Sequence, residues 1–246
     1  GFMEWSFFPP LAELLAARGF GVVRFNFSGS GMRPGEELAT DLEGFRGNTF
    51  TADRDDVLAV LEAVSGGQLA PERLDPARLG LLGHSRGGGA ALLAAASEGW
   101  RERIGALVTW ASISTYDRFS AEQKAAWRRR GETLVVNGRT GQELPMGTAA
   151  LDDLEANAKG LDLLAAAGRR RAPWLIVHGT DDETVPVAEA HRLVEVPVPA
   201  GVDPAELRVV EGGGHTFGSR HPFAGPRGPL TAAMNHTQRW FRAHLG

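Results

Sequence analysis

The chain has 246 residues, 43% of them hydrophobic and 23% charged, a balance typical of globular proteins that excludes wholesale disorder. Its net charge of −4 with only short basic runs argues against a nucleic-acid surface, and the absence of Cys excludes disulfides, a Cys nucleophile and thiolate metal sites. No apolar run approaches the roughly 20 residues that span a bilayer. We therefore expect a cytoplasmic protein without a membrane or nucleic-acid partner, and the sequence leaves open whether it forms a homodimer.

In chain order, segments typical of strands alternate with segments typical of helices, and short glycine-rich links join them. This alternation predicts an α/β domain with a mostly parallel sheet and helices on both faces. The pattern predicts strands at 21–27, 79–82, 104–110, 174–178 and 207–210. It predicts helices at 11–18, 51–64, 86–97, 187–193 and 230–244. The sequence contains no internal repeat, so we treat 1–246 as a single domain.

Residues 112–171 interrupt this alternation with a long insertion between two predicted strands. Helices are predicted at 121–130 and 149–167, and the Asn137-Gly138 pair between them is a strong hairpin signal. Insertions of this length usually have a function, and ligands of α/β sheets bind beyond the carboxyl ends of the strands. We therefore expect a small cap over the site, in preference to an ordinary subdomain that only covers the sheet.

The segment Gly83-His84-Ser85-Arg86-Gly87 matches the pattern G-x-S-x-G. An apolar strand runs into it and a helix that begins with small residues runs out of it, which is the context of a nucleophile elbow. Such a turn holds the serine oxygen clear of the sheet, beside the N-terminus of a helix. The sequence therefore predicts Ser85 as a nucleophile. The alternative is a glycine-rich link with a solvated serine.

A serine hydroxyl needs a base to take its proton and a third group to orient that base. After an elbow of this type the chain order is serine, acid, histidine. The loop after the fourth predicted strand supplies Asp181, Asp182 and Glu183, and the chain after the last predicted strand supplies His215. His215 is the predicted general base, and one of the carboxylates would fix its tautomer. The remaining histidines lack metal-ligand spacing, so no metal is expected.

Four segments together resemble the α/β-hydrolase superfamily, and within it the dienelactone-hydrolase-like and feruloyl or cinnamoyl esterase-like branch. They are GHSRGG at 83–88, HGTDDETVP at 178–186, GGGHTFG at 212–218 and RFNFSGSG at 24–31. The resemblance covers nearly the whole chain, and three ordered motifs make it specific. It implies an α/β-hydrolase fold with a catalytic triad of Ser85, Asp182 and His215. The family pattern prefers Asp182 to its neighbour Asp181 and makes Glu183 a remote choice.

The resemblance also implies an oxyanion hole made of two backbone N–H groups. One belongs to Arg86, the residue after the nucleophile, and the second belongs to a loop after an early strand. That strand is absent from this sequence, and the family's sheet order places it between the strands at 21–27 and 79–82. Its absence would leave two central strand edges unpaired, so we expect the numbering to begin part-way through a longer natural chain. Phe2 is the best candidate for the second donor among the residues present.

These features favour a serine carboxylic ester hydrolase that acts on small acyl or aromatic esters through an acyl-enzyme and needs no cofactor. A thioesterase, an amidase or a peptidase would use the same triad, and the sequence does not separate them. A non-catalytic binding protein on a hydrolase scaffold is the alternative from another class. The residues expected to line an acyl or aromatic pocket, with core packing as the equal alternative for each, are Trp110, Trp127, Leu144 and Met146.

Overall fold

The computed structural model describes residues 2–33, 35–137 and 140–246. Its main sheet has four parallel strands in the order β1-β2-β5-β6, and a separate antiparallel hairpin pairs β3 with β4. The strands are β1 (Leu79–His84), β2 (Ile104–Trp110), β3 (Glu132–Val136), β4 (Glu143–Gly147), β5 (Trp174–Gly179) and β6 (Glu206–Val210). The helices are α1 (Phe8–Ala16), α2 (Leu42–Arg46), α3 (Phe50–Ser65), α4 (Arg86–Ala95), α5 (Ala121–Arg130), α6 (Thr148–Ala156), α7 (Leu163–Arg169), α8 (Ala188–Val194) and α9 (Pro229–Leu245). Within the described ranges, no helix combines the length and the apolar character that crossing a bilayer requires.

Helices cover both faces of the main sheet because neighbouring residues of each strand point to opposite faces. In β2, Leu107 belongs to the apolar cluster formed with α3 and α4, whereas Val108 belongs to the cluster formed with α1 and α9. Ile176 and Leu175 divide in the same way in β5. All four side chains are buried. The architecture confirms the predicted α/β class, with β2 and β5 at the apolar centre of the domain.

The segment 21–27 differs from the sequence prediction. These residues belong to no strand of the described sheets, because they share no ladder of backbone hydrogen bonds with another strand. Among the described residues, β1 is likewise paired with β2 alone. A cavity of about 720 Å³ is lined by residues of both β1 and this segment. The cavity therefore lies between β1 and the segment 21–27.

The insertion at 112–171 contains α5, the hairpin, α6 and α7. The helix predicted at 149–167 is divided, since α6 ends at Ala156 and α7 begins at Leu163. The Asp162 side chain accepts a hydrogen bond from the N–H of Ala165, and this cap explains the second start. Leu151 of α6 and Leu163 of α7 are buried in the cluster that contains α3 and α4. These two helices are therefore part of the layer that covers the sheet.

The hairpin forms at the position that the Asn137-Gly138 pair predicts. Val136 lies opposite Glu143 in the β3–β4 register. The N–H of Asn137 donates to the carbonyl of Gln142 over 2.8 Å, which closes the turn. Gly138, the second residue of the predicted turn, lies outside the described residues.

Candidate active site

Ser85 lies in the turn between β1 and α4, and its backbone has a φ of 57°, in the left-handed region. Glycine is required at position 83, since a Cβ there would lie 2.2 Å from the carbonyl oxygen of Gly87. The N–H of Ser85 donates to the carbonyl of Trp110 at the end of β2 over 2.8 Å. The neighbouring backbone therefore fixes the serine in a strained conformation, as expected of a nucleophile elbow.

Ser85, His215 and Asp182 form a continuous chain of hydrogen bonds, although they come from three separate loops. The Nε2 atom of His215 lies 3.0 Å from Ser85 Oγ, and its Nδ1 atom lies 2.9 Å from Asp182 Oδ2. Because an ionised carboxylate can only accept, the proton of the neutral imidazole is on Nδ1. Nε2 then accepts the hydrogen of the Ser85 hydroxyl. This is the tautomer in which a histidine can act as a base towards a serine.

The Asp182 carboxylate is buried and surrounded by donors. Its Oδ1 accepts hydrogen bonds from the backbone N–H groups of Thr184 and Val185, over 3.0 and 2.8 Å. Burial alone would raise the pKa of this carboxyl, but hydrogen bonds from His178, His215 and the Val185 N–H hold the pKa well below its ordinary value. These donors therefore favour the ionised form of Asp182.

The two neighbouring carboxylates have different surroundings. Asp181 is exposed and accepts a hydrogen bond from Thr180 Oγ1 over 2.8 Å, and Glu183 is exposed as well. The N–H of Asp181 donates to the carbonyl of Gly213 over 2.9 Å, so its backbone ties the acid loop to the histidine loop. The structure thus brings Asp182, the residue that the family pattern prefers, to His215.

Two further buried histidines lie against this arrangement. The Nε2–H of His84 donates to the carbonyl of His215 over 2.8 Å, and the centres of the two rings are 4.7 Å apart. The Nε2–H of His178 donates to the carbonyl of Val185 over 2.8 Å and lies 3.4 Å from Asp182 Oδ2. The sequence signals both histidines only by their places inside the motifs at 83–88 and 178–186.

Arg86 is the first residue of α4, so its N–H has no acceptor within the helix. Its side chain is anchored, since Nε donates to the carboxylate of the buried Asp53 and the guanidinium lies 4.6 Å from the centre of the Phe50 ring. Sequence reasoning missed Asp53, whose signal is an acidic residue in the first turn of an amphipathic helix. Phe2, the predicted second oxyanion donor, is buried and lines the same cavity as Ser85. Its role as a donor stays a prediction.

Three of the four residues predicted to line a pocket, with core packing as the alternative, are buried in the apolar clusters. Trp110 is fully buried in the cluster that contains α1 and α9, and its Nε1–H donates to Thr237 Oγ1 over 2.8 Å. Trp127 and Met146 are buried in the cluster that contains α3 and α4. Leu144, the fourth, lines the 720 Å³ cavity together with Ser85. Large apolar side chains pack into a core as readily as they line a pocket, and the sequence pattern does not distinguish the two.

The parallel sheet, the strained elbow and the Ser-His-Asp chain define the class of this protein: it has the α/β-hydrolase fold and the site of a serine hydrolase. The model of the prolyl oligopeptidase family, peptidase family S9, matches residues 5–246. The chain therefore belongs to the prolyl oligopeptidase family.

The individual relatives share little sequence identity with the chain. The chain is 26% identical over 234 residues to the uncharacterized peptidase YuxL of Bacillus subtilis, an alignment that covers 95% of this chain and 31% of that protein. It spans less than a third of the length of the curated relatives it matches. Two solved structures share the fold at 19% identity. The monoacylglycerol lipase of Paleococcus ferrophilus has a TM-score of 0.68 and covers 99% of this chain and 92% of its own. Est1E of Butyrivibrio proteoclasticus with bound ferulic acid has a TM-score of 0.69, and the match covers 99% of this chain and 85% of that chain.

Proposed function

We propose that the chain hydrolyses carboxylic esters of small acyl or aromatic acids through an acyl-enzyme on Ser85. The observation that carries the proposal is the continuous hydrogen-bonded path from Ser85 Oγ to His215 and on to Asp182, over 3.0 and 2.9 Å. A serine hydroxyl is a weak nucleophile until a base is held against it, and this path supplies both the base and the group that orients the base.

In the acylation step, Ser85 Oγ attacks the carbonyl carbon of the ester while His215 Nε2 takes the hydroxyl proton. The carbonyl π bond opens, and the negative oxygen of the tetrahedral intermediate accepts a hydrogen bond from the N–H of Arg86. Asp182 stabilises the imidazolium that has formed. The intermediate then collapses, the bond to the alcohol oxygen breaks, and His215 returns its proton to that oxygen. The alcohol leaves, and the acyl group remains esterified to Ser85.

Deacylation repeats these steps with water. His215 Nε2 takes a proton from a water molecule as the water oxygen attacks the acyl carbon, and the Arg86 N–H again holds the oxyanion. The bond to Ser85 Oγ breaks, and His215 reprotonates that oxygen. The products are a carboxylic acid and the free enzyme, and water is the only other reactant. Phe2 is the proposed second donor to the oxyanion.

This chemistry needs no cofactor, since the nucleophile, the base and the acid are all side chains of the chain. Among the residues that the structure describes, no group of three or more His, Asp or Glu side chains is placed to hold a metal ion. We propose a small-molecule ester as substrate, without a nucleic-acid or membrane partner, and a cytoplasmic location. The cap role of 112–171 is part of the same proposal, with Asn137 and Leu144 as residues of the insertion that line the cavity beside Ser85.

A peptidase is the second candidate, and the family match is the observation that favours it. An amide would form the same acyl-enzyme, with His215 giving its proton to the leaving nitrogen in place of an alcohol oxygen. A thioester would follow the same route with a sulfur leaving group. A non-catalytic binding protein remains the alternative from another class, and the assembled Ser85–His215–Asp182 chain argues against it, because binding alone does not require a base beside a serine.

A fluorophosphonate probe followed by peptide mapping tests the proposal. We expect stoichiometric labelling at Ser85 in the wild type and none in Ser85→Ala. The matched control is Ser97→Ala, because Ser97 lies just beyond α4 with its hydroxyl donating to the Leu93 carbonyl, and this variant should label like the wild type. A folded wild type that does not label would refute the activated serine and favour the binding protein.

The bond that is cleaved requires a separate panel. An ester, a thioester and an anilide that share one aromatic acyl group differ only in the leaving atom, so their kcat/KM values rank the three candidate activities directly. We expect the ester to be fastest. An anilide or a short peptide that is turned over as well as the ester would shift the proposal to the peptidase.

A further inference from the structure

His178 occupies an unusual position for a residue that the mechanism does not use. It lies near the end of β5 in register with Val209 of β6, and its side chain is completely buried. From there its ring reaches the loop that carries the triad carboxylate. The Nε2 atom lies 2.8 Å from the carbonyl oxygen of Val185 and 3.4 Å from Asp182 Oδ2. One ring nitrogen thus contacts both the backbone that closes this loop and the carboxylate within it.

The partners of His178 fix its tautomer. A backbone carbonyl can only accept, so the short contact to Val185 requires a proton on Nε2. Nδ1 then has no proton in the neutral ring, and it has no hydrogen-bond partner among the described residues. A single N–H is therefore shared, with the Val185 carbonyl as the nearer acceptor and Asp182 Oδ2 as the farther one. A buried ring left with an unpaired nitrogen is costly, and such groups call for an explanation.

The same oxygen, Asp182 Oδ2, accepts the Nδ1–H of His215 over 2.9 Å. The carboxylate is thus held on three sides: by two backbone N–H groups at Oδ1 and by the rings of His178 and His215 at Oδ2. Of these donors, His178 is the one that also donates a hydrogen bond to the Val185 carbonyl. This second contact joins β5 to the end of the loop.

We propose that His178 is a positioning residue of the catalytic site: its shared Nε2–H holds the 178–185 loop closed and sets the Asp182 carboxylate against His215. The inference rests on the proposed function, since it assigns a task relative to the triad. His178 touches neither substrate nor Ser85 in this role. Its effect passes through the carboxylate that orients the base.

Two variants of His178 separate positioning from mere bulk. His178→Gln keeps an N–H donor near the place of Nε2, whereas His178→Leu keeps comparable volume and removes the donor. We expect His178→Leu to lower kcat for an aromatic ester by up to about a hundredfold, because small misplacements of a catalytic group have effects of that size. KM should change by less than about twofold, since substrate contacts are intact. His178→Gln should recover most of the lost kcat.

The matched control is His191→Leu, which removes an exposed histidine from the neighbouring helix α8 and should leave both constants unchanged. A His178→Leu variant with wild-type kcat would overturn the proposal. So would equal losses in the Leu and Gln variants, because a purely structural role would not distinguish an N–H donor from a methyl group. A wild type that is itself inactive and does not react with the fluorophosphonate would instead refute the proposed function.

A measurement on the unmodified protein keeps the inference testable if His178→Leu does not fold. In ¹⁵N-labelled wild type at pH 8, nitrogen chemical shifts distinguish the two neutral tautomers of a histidine ring. We expect His178 as the Nε2–H tautomer and His215 as the Nδ1–H tautomer, with the His178 proton protected from exchange. An Nδ1–H tautomer at His178 would remove the shared donor and overturn the proposal, whatever the activity.

Discussion

Asp53 in the first turn of α3 accepts a hydrogen bond from Nε of Arg86, the residue that follows the nucleophile. The two partners are unequally buried, because the Asp53 side chain is 2% exposed and that of Arg86 is 29% exposed. Asn48 donates a further hydrogen bond to Asp53 over 3.2 Å but brings no charge to neutralise it. The pair therefore joins α3 to the start of α4, where the oxyanion is expected to bind.

This unequal burial predicts that removing Arg86 and removing Asp53 lower the free energy of unfolding by different amounts. Arg86→Met leaves a buried carboxylate without a counter-charge, and we expect it to lower the free energy of unfolding by about 3–5 kcal/mol. Asp53→Asn leaves a guanidinium that water can reach and keeps an acceptor, so its loss should be about 1 kcal/mol. Urea denaturation of both variants and the double variant measures the difference. Equal losses for the two single variants would contradict the unequal burial.

The close approach of the Gly179 and Gly213 backbones leads to a second prediction. A Cβ on Gly179 would lie 1.9 Å from the carbonyl oxygen of Gly213, in backbone that no side-chain rotation can move. Gly179→Ala must therefore separate the acid loop from the histidine loop. We expect a loss of about 1–3 kcal/mol in the free energy of unfolding and a fall of about a hundredfold in the rate of fluorophosphonate labelling.

The control for this variant is Gly168→Ala in α7. A Cβ there would meet Pro197 O at 3.4 Å, an ordinary contact, and alanine is the better helix former. That variant should be neutral or slightly stabilised and fully labelled. If Gly179→Ala labels at the wild-type rate, the close approach of the two loops does not position the triad.

Much of the site could be predicted because its signals are local. Ser85 is marked by the glycines that its turn requires, and Asp182 and His215 each follow a buried strand in a fixed chain order. The contacts between the helices that cover the sheet have no such local signal. Asp53 is one acidic residue among several in α3, and its contact with Arg86 depends on how two helices pack, which no local spacing records. The burial of Trp110 likewise depends on which face of the sheet its side chain lies on, which no local spacing records.

The strands of the main sheet were predictable from their hydrophobic segments, because these segments pair with one another. The structure of the segment 21–27 was not predictable in this way. Residues 21–27 have the composition of a strand, yet a strand is defined by its neighbour, and the described residues supply none for this segment. The division of α6 from α7 was also missed, because the helical pattern continues past Asn157 and only the Asp162 cap marks the second start.

The lowered pKa of Asp182 predicts how its contribution to stability depends on pH. Burial opposes ionisation, but hydrogen bonds from His178, His215 and Val185 outweigh it, so the folded-state pKa lies below the unfolded value of roughly 3.9. The contribution of the ionised group is therefore fully present above that unfolded value and is lost as pH falls through the folded pKa.

Unfolding free energies of wild type and Asp182→Asn, measured from pH 7 down to pH 3, test this dependence. The free energy of unfolding of the wild type should exceed that of the variant by a constant margin from pH 7 to about pH 5. This margin should shrink below about pH 4. A margin that grows as the pH falls would mean that the carboxyl is stabilised in its neutral form.

Backbone pairing predicts the pattern of amide hydrogen exchange across the 720 Å³ cavity. β2 is paired on both sides, with β1 and with β5, whereas 21–27 shares no ladder with a described strand. Amides without such bonds open without breaking the sheet, so peptides from 21–27 should exchange fully while those from β2 remain protected. Exchange read by mass spectrometry on the 246-residue chain provides the comparison. Protection of 21–27 equal to that of β2 would show that a strand, of this chain or another, occupies the cavity in solution.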